Sequence, residues 1–257
     1  MKSLSQYIQE KLIIKKSTTK KNKNTNYKYF PKSKEELQDI IKQRIKDEGN
    51  KVNLNDINVS KITDMSSLFK GTKFNGDISN WDVSNVTNMN SIFFDCENFN
   101  QDISRWNVSN VTNMYGMFCG CKSFNQDISG WDVSNVVYSS SMFLECKSFN
   151  QDISGWDVSN IINMSYMFCE CKNFNQDISN WDVSNVKYMQ SMFYNCIKFN
   201  KDISSWDVSN VINMRQMFSR CDSFNQDISN WDISKVMDTA KMFFECPIEE
   251  KHKPKIE

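Results

Sequence analysis

Hydrophobic positions along this chain follow two alternating rhythms. In a middle stretch, Phe149 and Ile153, then Trp156 and Val158, fall on one side of an extended chain, because side chains there alternate between faces. Met164, Met167, Phe168 and Cys171 follow at i, i+3, i+4 and i+7, the spacing of one helix face. The pattern predicts a short strand, a turn and about two turns of helix. It then recurs. Trp81, Trp106, Trp131, Trp156, Trp181, Trp206 and Trp231 stand 25 residues apart and are all 7 tryptophans of the chain; Cys96, Cys121, Cys146, Cys171, Cys196, Cys221 and Cys246 keep the same period. A fixed period of this length marks a stacked array. A unit so small cannot bury its own apolar face, so each must lie on its neighbours, and every apolar position becomes a ladder such as Phe99, Phe124, Phe149, Phe174, Phe199 and Phe224.

Four regions follow. Residues 1–26 place Leu4, Tyr7, Ile8 and Leu12 at helical spacing and then run into Lys, Asn and Thr too polar to bury, an amphipathic docking helix on a basic, flexible linker. In residues 27–56, the strand-like Tyr27, Tyr29 and Phe30 precede Pro31, and Ser33 with Glu36 forms a capping box. Leu37, Ile40, Ile41 and Ile45 share one helix face, and Gly49 stands where a left-handed C-cap is expected. This helix is the expected N-terminal cap, since arrays need an end unit whose outer face tolerates water. Residues 57–247 are the array; its first unit carries Ile57 in place of Trp and lacks the Cys. Residues 248–257 are a charged tail with no evident capping element, so the last coil is expected to be covered by that tail or by another molecule, and self-association there is an expectation.

Composition sharpens this picture. Seven Gly and three Pro are few for so many turns, which must rely on Asn, Asp and Ser. Net charge is zero only on average: residues 1–50 carry 13 Lys+Arg against 6 Asp+Glu, leaving 18 against 25 for the rest. No apolar run approaches the ~20 residues of a membrane span. Gln9, Glu10 and Lys11 interrupt the start where a signal peptide would be apolar. The expectation is a protein without a signal peptide, cytoplasmic or incorporated into a larger assembly, and displayed at a surface only by a non-classical route.

The unit Phe-Asn-Gln-Asp-Ile-Ser-x-Trp-Asp-Val-Ser-Asn-Val-x-Asn-Met-x-x-Met-Phe, read at residues 174–193, resembles the 25-residue repeat of BspA-like leucine-rich-repeat surface proteins over about three quarters of the chain. The resemblance implies an α/β solenoid, a leucine-rich-repeat-like right-handed stack of short parallel strands and short helices with an N-terminal capping helix. It also implies use in adhesion or protein recognition. The missing signal peptide departs from the surface members. The leader is loosely similar to leaders of some bacteriophage-encoded proteins.

Catalytic chemistry has little to work with. The only histidine, His252, lies in the tail, and there is neither a phosphate loop nor a dinucleotide fingerprint, so no enzymatic activity, cofactor or metal is expected. The Cys ladder reads as small buried hydrophobes; Cys119 and Cys169, two units apart, are too distant to bridge. The Asp rows, Asp77 to Asp227 and Asp82 to Asp232, could chelate calcium between coils, but each neighbours Ser or Asn and reads better as a turn acceptor, with Asn107 serving equally well in one unit. Tryptophans two residues before Val or Ile read as core, not as sugar platforms, and the Asn75 to Asn225 row as internal rungs.

Function is then expected where the units differ. The candidate partner-binding residues are Arg105, Tyr115, Lys122, Lys147, Tyr166, Lys172, Gln190, Lys198, Arg215 and Gln216, on faces that would contact a protein. The alternative is an assembly component, of a phage- or virion-associated kind, docked through Leu4, Tyr7, Ile8 and Leu12. Nucleic-acid binding through Lys11 to Lys28 is disfavoured by the acidic array.

Overall fold

The computed structural model describes residues 26–255. The sole α-helix among them, α1, spans Lys34–Glu48, and a short 3₁₀ turn spans Glu250–His252. The Ser33 half of the capping box forms at the start of α1, and its reciprocal bond is shifted by one residue. The Ser33 side chain accepts from the Glu36 amide, and the Glu36 carboxylate accepts from the Lys32 amide at 2.8 Å. Gly49 ends the helix at φ 87°, its N–H donating to Ile45 O at 2.9 Å. Leu37, Ile40 and Ile41 are buried and share one core with Met65, Leu68 and Phe69 of the first coil.

The strand and the helix expected in each repeat do not form. Between α1 and the tail the described chain is a succession of turns, and neighbouring coils meet in single parallel bridges that run as one column through Asp64, Asn88, Asn113, Tyr138, Asn163, Tyr188, Asn213 and Asp238. The residues once read as a helix show why. In the second coil Ile92, Phe94 and Cys96 donate to Met89, Ser91 and Phe93 three residues back, closing overlapping turns at 3.3, 3.1 and 2.9 Å. The alternate amides of Met89, Ser91, Phe93 and Asp95 instead donate to Asn113, Tyr115, Met117 and Cys119 of the next coil, at 2.7–3.0 Å. An α-helix would spend all these amides on itself and leave nothing to join the coils. The arrangement also requires a left-handed residue every fourth position, as at Ser91 (φ 54°) and Asp95 (φ 57°), which no α-helix contains. A four-residue repeat of turns places the same spacing of apolar residues inward, so the sequence periodicity was compatible with both.

Side chains lock the stack at 25-residue intervals. Phe93 lies 5.7 Å from Phe118 in the next coil and 3.8 Å from Phe99 in its own, rings nearly parallel. Each buried Trp from Trp106 to Trp231 donates its indole N–H to an Ile carbonyl of the coil before, as Trp156 does to Ile128 at 3.2 Å. Asn side chains form the expected internal rungs: the Asn75 amide oxygen accepts the Asn100 N–H at 3.0 Å, and the relation repeats up to Asn225. Backbone polar groups that stacking removes from water are thereby paired.

The two ends differ. At the N-terminal end, Tyr29 bridges Ile57 and α1 covers the core, fastened where Arg44 Nη1 meets Asp56 at 2.8 Å and Lys34 reaches Asp64 and Ser66. At the other end the tail is itself a partial cap. Ile248 and Pro254 are buried, the Glu249 amide donates to Asn225 Oδ1 at 2.9 Å, and His252 O accepts the Ile228 amide at 3.0 Å. It covers the Phe224–Ile228 side of the last coil. The far side, from Val236 to Cys246, remains partly open.

Candidate functional site

The turn segment that carries the bridge column also carries the variation. The position just before the bridge is Thr87, Thr112, Val137, Ile162, Lys187, Ile212 or Met237; the bridge residue is Asn or Asp in most coils but Tyr138 and Tyr188 in two. Two and three residues on stand Tyr115 in one coil and Tyr166 in another. Tyr115, Tyr138, Ile162, Tyr166, Tyr188, Met237 and Phe244 all lie in this segment. Among the described residues Phe30 is the one exposed large hydrophobic outside it. Tyr138 is the most open of the tyrosines, at 59%. Successive coils are about 4.8 Å apart, so Tyr138, Ile162 and Tyr188 line up within roughly 10 Å along one face.

The centre of this face holds unspent polar capacity. Ser165 Oγ and Gln190 Oε1, at the same position of adjacent coils, are buried atoms with no hydrogen-bond partner among the described residues. Tyr166, beside Ser165, sits at φ 59°, where a bulky side chain is rare. Arg215 lies on the same segment and approaches Asp238 at 3.9 Å.

A family model described as "Mycoplasma protein of unknown function, DUF285" matches residues 36–156 and again residues 139–254. The chain belongs to this family. The two matches together take in most of α1 and the bridged coils. No curated protein matches this DUF285 chain.

The expected site residues separate onto three faces. Tyr115, Tyr166, Gln190, Arg215 and Gln216 come together on the turn segment. Lys122, Lys147, Lys172 and Lys198 lie on the outer turn that follows it, two of them engaged by the neighbouring coil: Lys122 with Glu97 at 2.6 Å and Lys198 with Asn173 at 2.7 Å. Arg105 is exposed on the turn before Trp106, on neither of those segments. Leu4, Tyr7, Ile8 and Leu12 lie outside the described residues. Sequence reasoning missed Tyr138, Ile162 and Tyr188. The available signal was Tyr at a position that Asn occupies in most other units, and Asn there marks a side that faces water.

The alternative chemistries occupy their residues otherwise. Asp127, Asp152 and Asp177 each accept the amide N–H of the serine two residues on at 2.9–3.0 Å, and that bond, with the nearby serine hydroxyl, holds their carboxyls below the usual range. Asp132, Asp157, Asp207 and Asp232 are held low by the corresponding serine hydroxyl and then its amide. The nine cysteines are free thiols. Burial pushes Cys96 up to about 11 and Cys119 and Cys169 to about 12, and those of the inner ladder donate their S–H to a Phe carbonyl of the coil before, as Cys171 does to Phe143 at 2.9 Å. No group of three or more His, Cys, Asp or Glu side chains suited to a metal ion occurs among the described residues, and no helix there is long and apolar enough to cross a membrane.

Proposed function

We propose that this chain is a non-enzymatic repeat scaffold, a solenoid of the leucine-rich-repeat-like kind, that recognises another protein through the Tyr115–Tyr138–Ile162–Tyr166–Tyr188 face. The reading rests on one observation: apart from Phe30, the exposed large hydrophobics among the described residues are gathered on one of the turn segments where the units differ. Stacking accounts for the repeated Phe, Trp, Met and Cys positions, buried in every coil but the last, where Phe243 and Cys246 are half-buried, but it gives no reason for tyrosines in water. Tyrosine combines a large apolar ring with a hydroxyl and loses little conformational freedom on contact, which is why it is enriched where proteins meet. Different residues at equivalent positions of successive coils give the face an identity that a uniform ladder would lack. Adhesion is the use suggested by the resemblance to BspA-like repeats.

A site-specific photo-crosslinker tests this reading. It is placed at Tyr138, and separately at Arg105 and Lys198, in the full chain. The expected outcome is one partner captured from Tyr138 alone, and lost in the Tyr166→Ser/Tyr188→Ser variant at unchanged melting temperature. Capture from Lys198 or Arg105 and not from Tyr138 would move the binding face elsewhere and sink the proposal.

A further inference from the structure

Along the bridge column one side-chain bond recurs in most coils. Asp64, Asn88, Asn113, Asn163, Asn213 and Asp238 each accept, through a side-chain oxygen, the amide N–H two residues on, at 2.7–3.1 Å. Asx turns of this kind hold the backbone in its bend. Tyr138 and Tyr188 take the other two places between Asp64 and Asp238, and their rings do not make the bond. The amides that would donate to it, Ser140 N–H and Gln190 N–H, have no partner among the described residues. Both rings lie exposed, so burial does not offset the lost bonds. At about 4.8 Å per coil the two open amides stand roughly 10 Å apart. In the coil between them Ser165, 2% exposed, carries the unpartnered Oγ already described. Charge on this part of the face has one sign, although the array is net acidic. Across residues 112–118, 137–143, 162–168, 187–193 and 212–218 the charged side chains are Lys187 and Arg215 alone. Lys187 is exposed and joins no ion pair among the described residues, and Arg215 meets Asp238 only at 3.9 Å.

We infer that the partner recognised on this face is an extended, acidic protein segment. Its apolar side chains lie over Tyr138, Ile162 and Tyr188, its carbonyl or carboxylate oxygens take the open amides of Ser140 and Gln190, and its acidic residues meet Lys187 and Arg215. An extended chain rises about 3.3 Å per residue, so acceptors three residues apart span the roughly 10 Å between the two amides. A basic segment would set cation against cation and bring no acceptor side chains, and complementary charge is what selects one partner over another on such a surface. Placing Tyr where other coils keep Asn or Asp gives up a bond without gaining burial. Stability surrendered in this way marks a position kept for contact with something outside the stack. The inference rests on the tyrosine face of the proposed function and adds the chemistry of what that face binds.

The probe is a displayed library of random dodecapeptides, selected on the full chain and counter-selected on a Tyr138→Asn/Tyr188→Asn variant, the recovered peptides then being synthesised with a label. Asparagine restores the Asx turn in both coils, so the variant should melt a few degrees above the natural chain while binding the recovered peptides at least tenfold more weakly. Those peptides should carry Asp or Glu beside aromatic or aliphatic residues. Lys187→Glu should leave the melting temperature unchanged, weaken them at least tenfold and flatten the salt dependence of binding, whereas Lys61→Glu in the first coil should do neither. A double variant that melts lower would show that the tyrosines serve the stack and would overturn the inference. Neutral or basic peptides that the variant nonetheless loses would keep the tyrosine face and overturn its acidic partner. No recovered peptide, or peptides that bind both chains alike, would overturn the inference together with the protein-recognising face. Binding of an oligogalacturonate that the variant loses would in that case assign the face to acidic carbohydrate.

Discussion

Tyr166 illustrates how much single residues give up to this architecture. Its φ of 59° puts Cβ close to the following carbonyl, a cost of roughly 1–2 kcal/mol for an L side chain. Gly116 occupies the equivalent place two coils earlier at φ 55° without that cost. Tyr166→Gly should therefore be more stable than Tyr166→Ala by about 1 kcal/mol in urea denaturation, the reverse of the usual ranking. Equal stabilities would mean that the left-handed turn is not formed in solution. Carboxylates act at the same scale. Asp127, Asp152 and Asp177 titrate below their ordinary value because serine amides and hydroxyls bond the ionised form. A lowered folded-state value means the stabilisation is complete at neutral pH and disappears as pH falls through that value. The melting temperature should be flat from about pH 7 to 5 and drop below about pH 4. Asp157→Asn should lessen that drop, since Asp157 is held low by the same kind of serine bonds, and Asn107, two coils earlier in the same row, makes those amide and hydroxyl bonds to Ser109 without a charge. An unchanged acid profile in the variant would show that these carboxylates do not govern it.

At the scale of the element, the repeating piece is a chain of turns that becomes stable only beside its copies. Phe168 touches this logic directly: it lies 5.7 Å from Phe143, 5.8 Å from Phe193 and 4.1 Å from Phe174. Phe168→Ala opens a void between three coils and should cost about 3–5 kcal/mol by chemical denaturation. A loss below about 1 kcal/mol would mean that the neighbours close over the gap. The same ring explains what the sequence could and could not disclose. Its period with Phe143 and Phe193 marked it as a rung, and Ser33, Glu36 and Gly49 marked the limits of α1 through local rules that need no tertiary context. The turn segment was misread because Met164, Met167, Phe168 and Cys171 have a spacing shared by a helix face and by turns repeating every four residues. Left-handed positions distinguish the two, yet Tyr166 and Glu170 disguise them; only Gly71 in the first coil, and Gly116 with Gly120 four apart in another, showed them openly. The tyrosine face was half legible for a related reason. Tyr115 and Tyr166 stand out as variable, whereas Ile162 directly follows the buried Ile161 and is not distinguished from it by residue type.

For the whole molecule, a stack of nearly equal coils has no privileged core, so its stability is close to a sum over neighbouring interfaces and its weak points are its ends. These ends are unequal. α1 and Tyr29 close the first coil, while the last coil leaves Val236 to Cys246 half open and one row of amides without partners among the described residues. Opening should therefore begin at the C-terminal end and move inward, and the cysteine ladder places one reporter in nearly every coil. Thiolate is the reactive form, and burial raises every thiol of the ladder, with Cys121, Cys146, Cys171, Cys196 and Cys221 well above the ordinary value. Each becomes available only when its coil opens. At pH 8 and urea concentrations short of the main transition, a thiol reagent read by peptide mass spectrometry should label Cys246 first, Cys221 next and Cys196 after it, with Cys96 under the N-terminal cap among the last. Subglobal opening of this kind gives a graded order of free energies along the chain. Simultaneous labelling of all nine thiols would instead mean that the coils open as one cooperative unit, and early labelling of Cys96 would mean that α1 is the weaker seal.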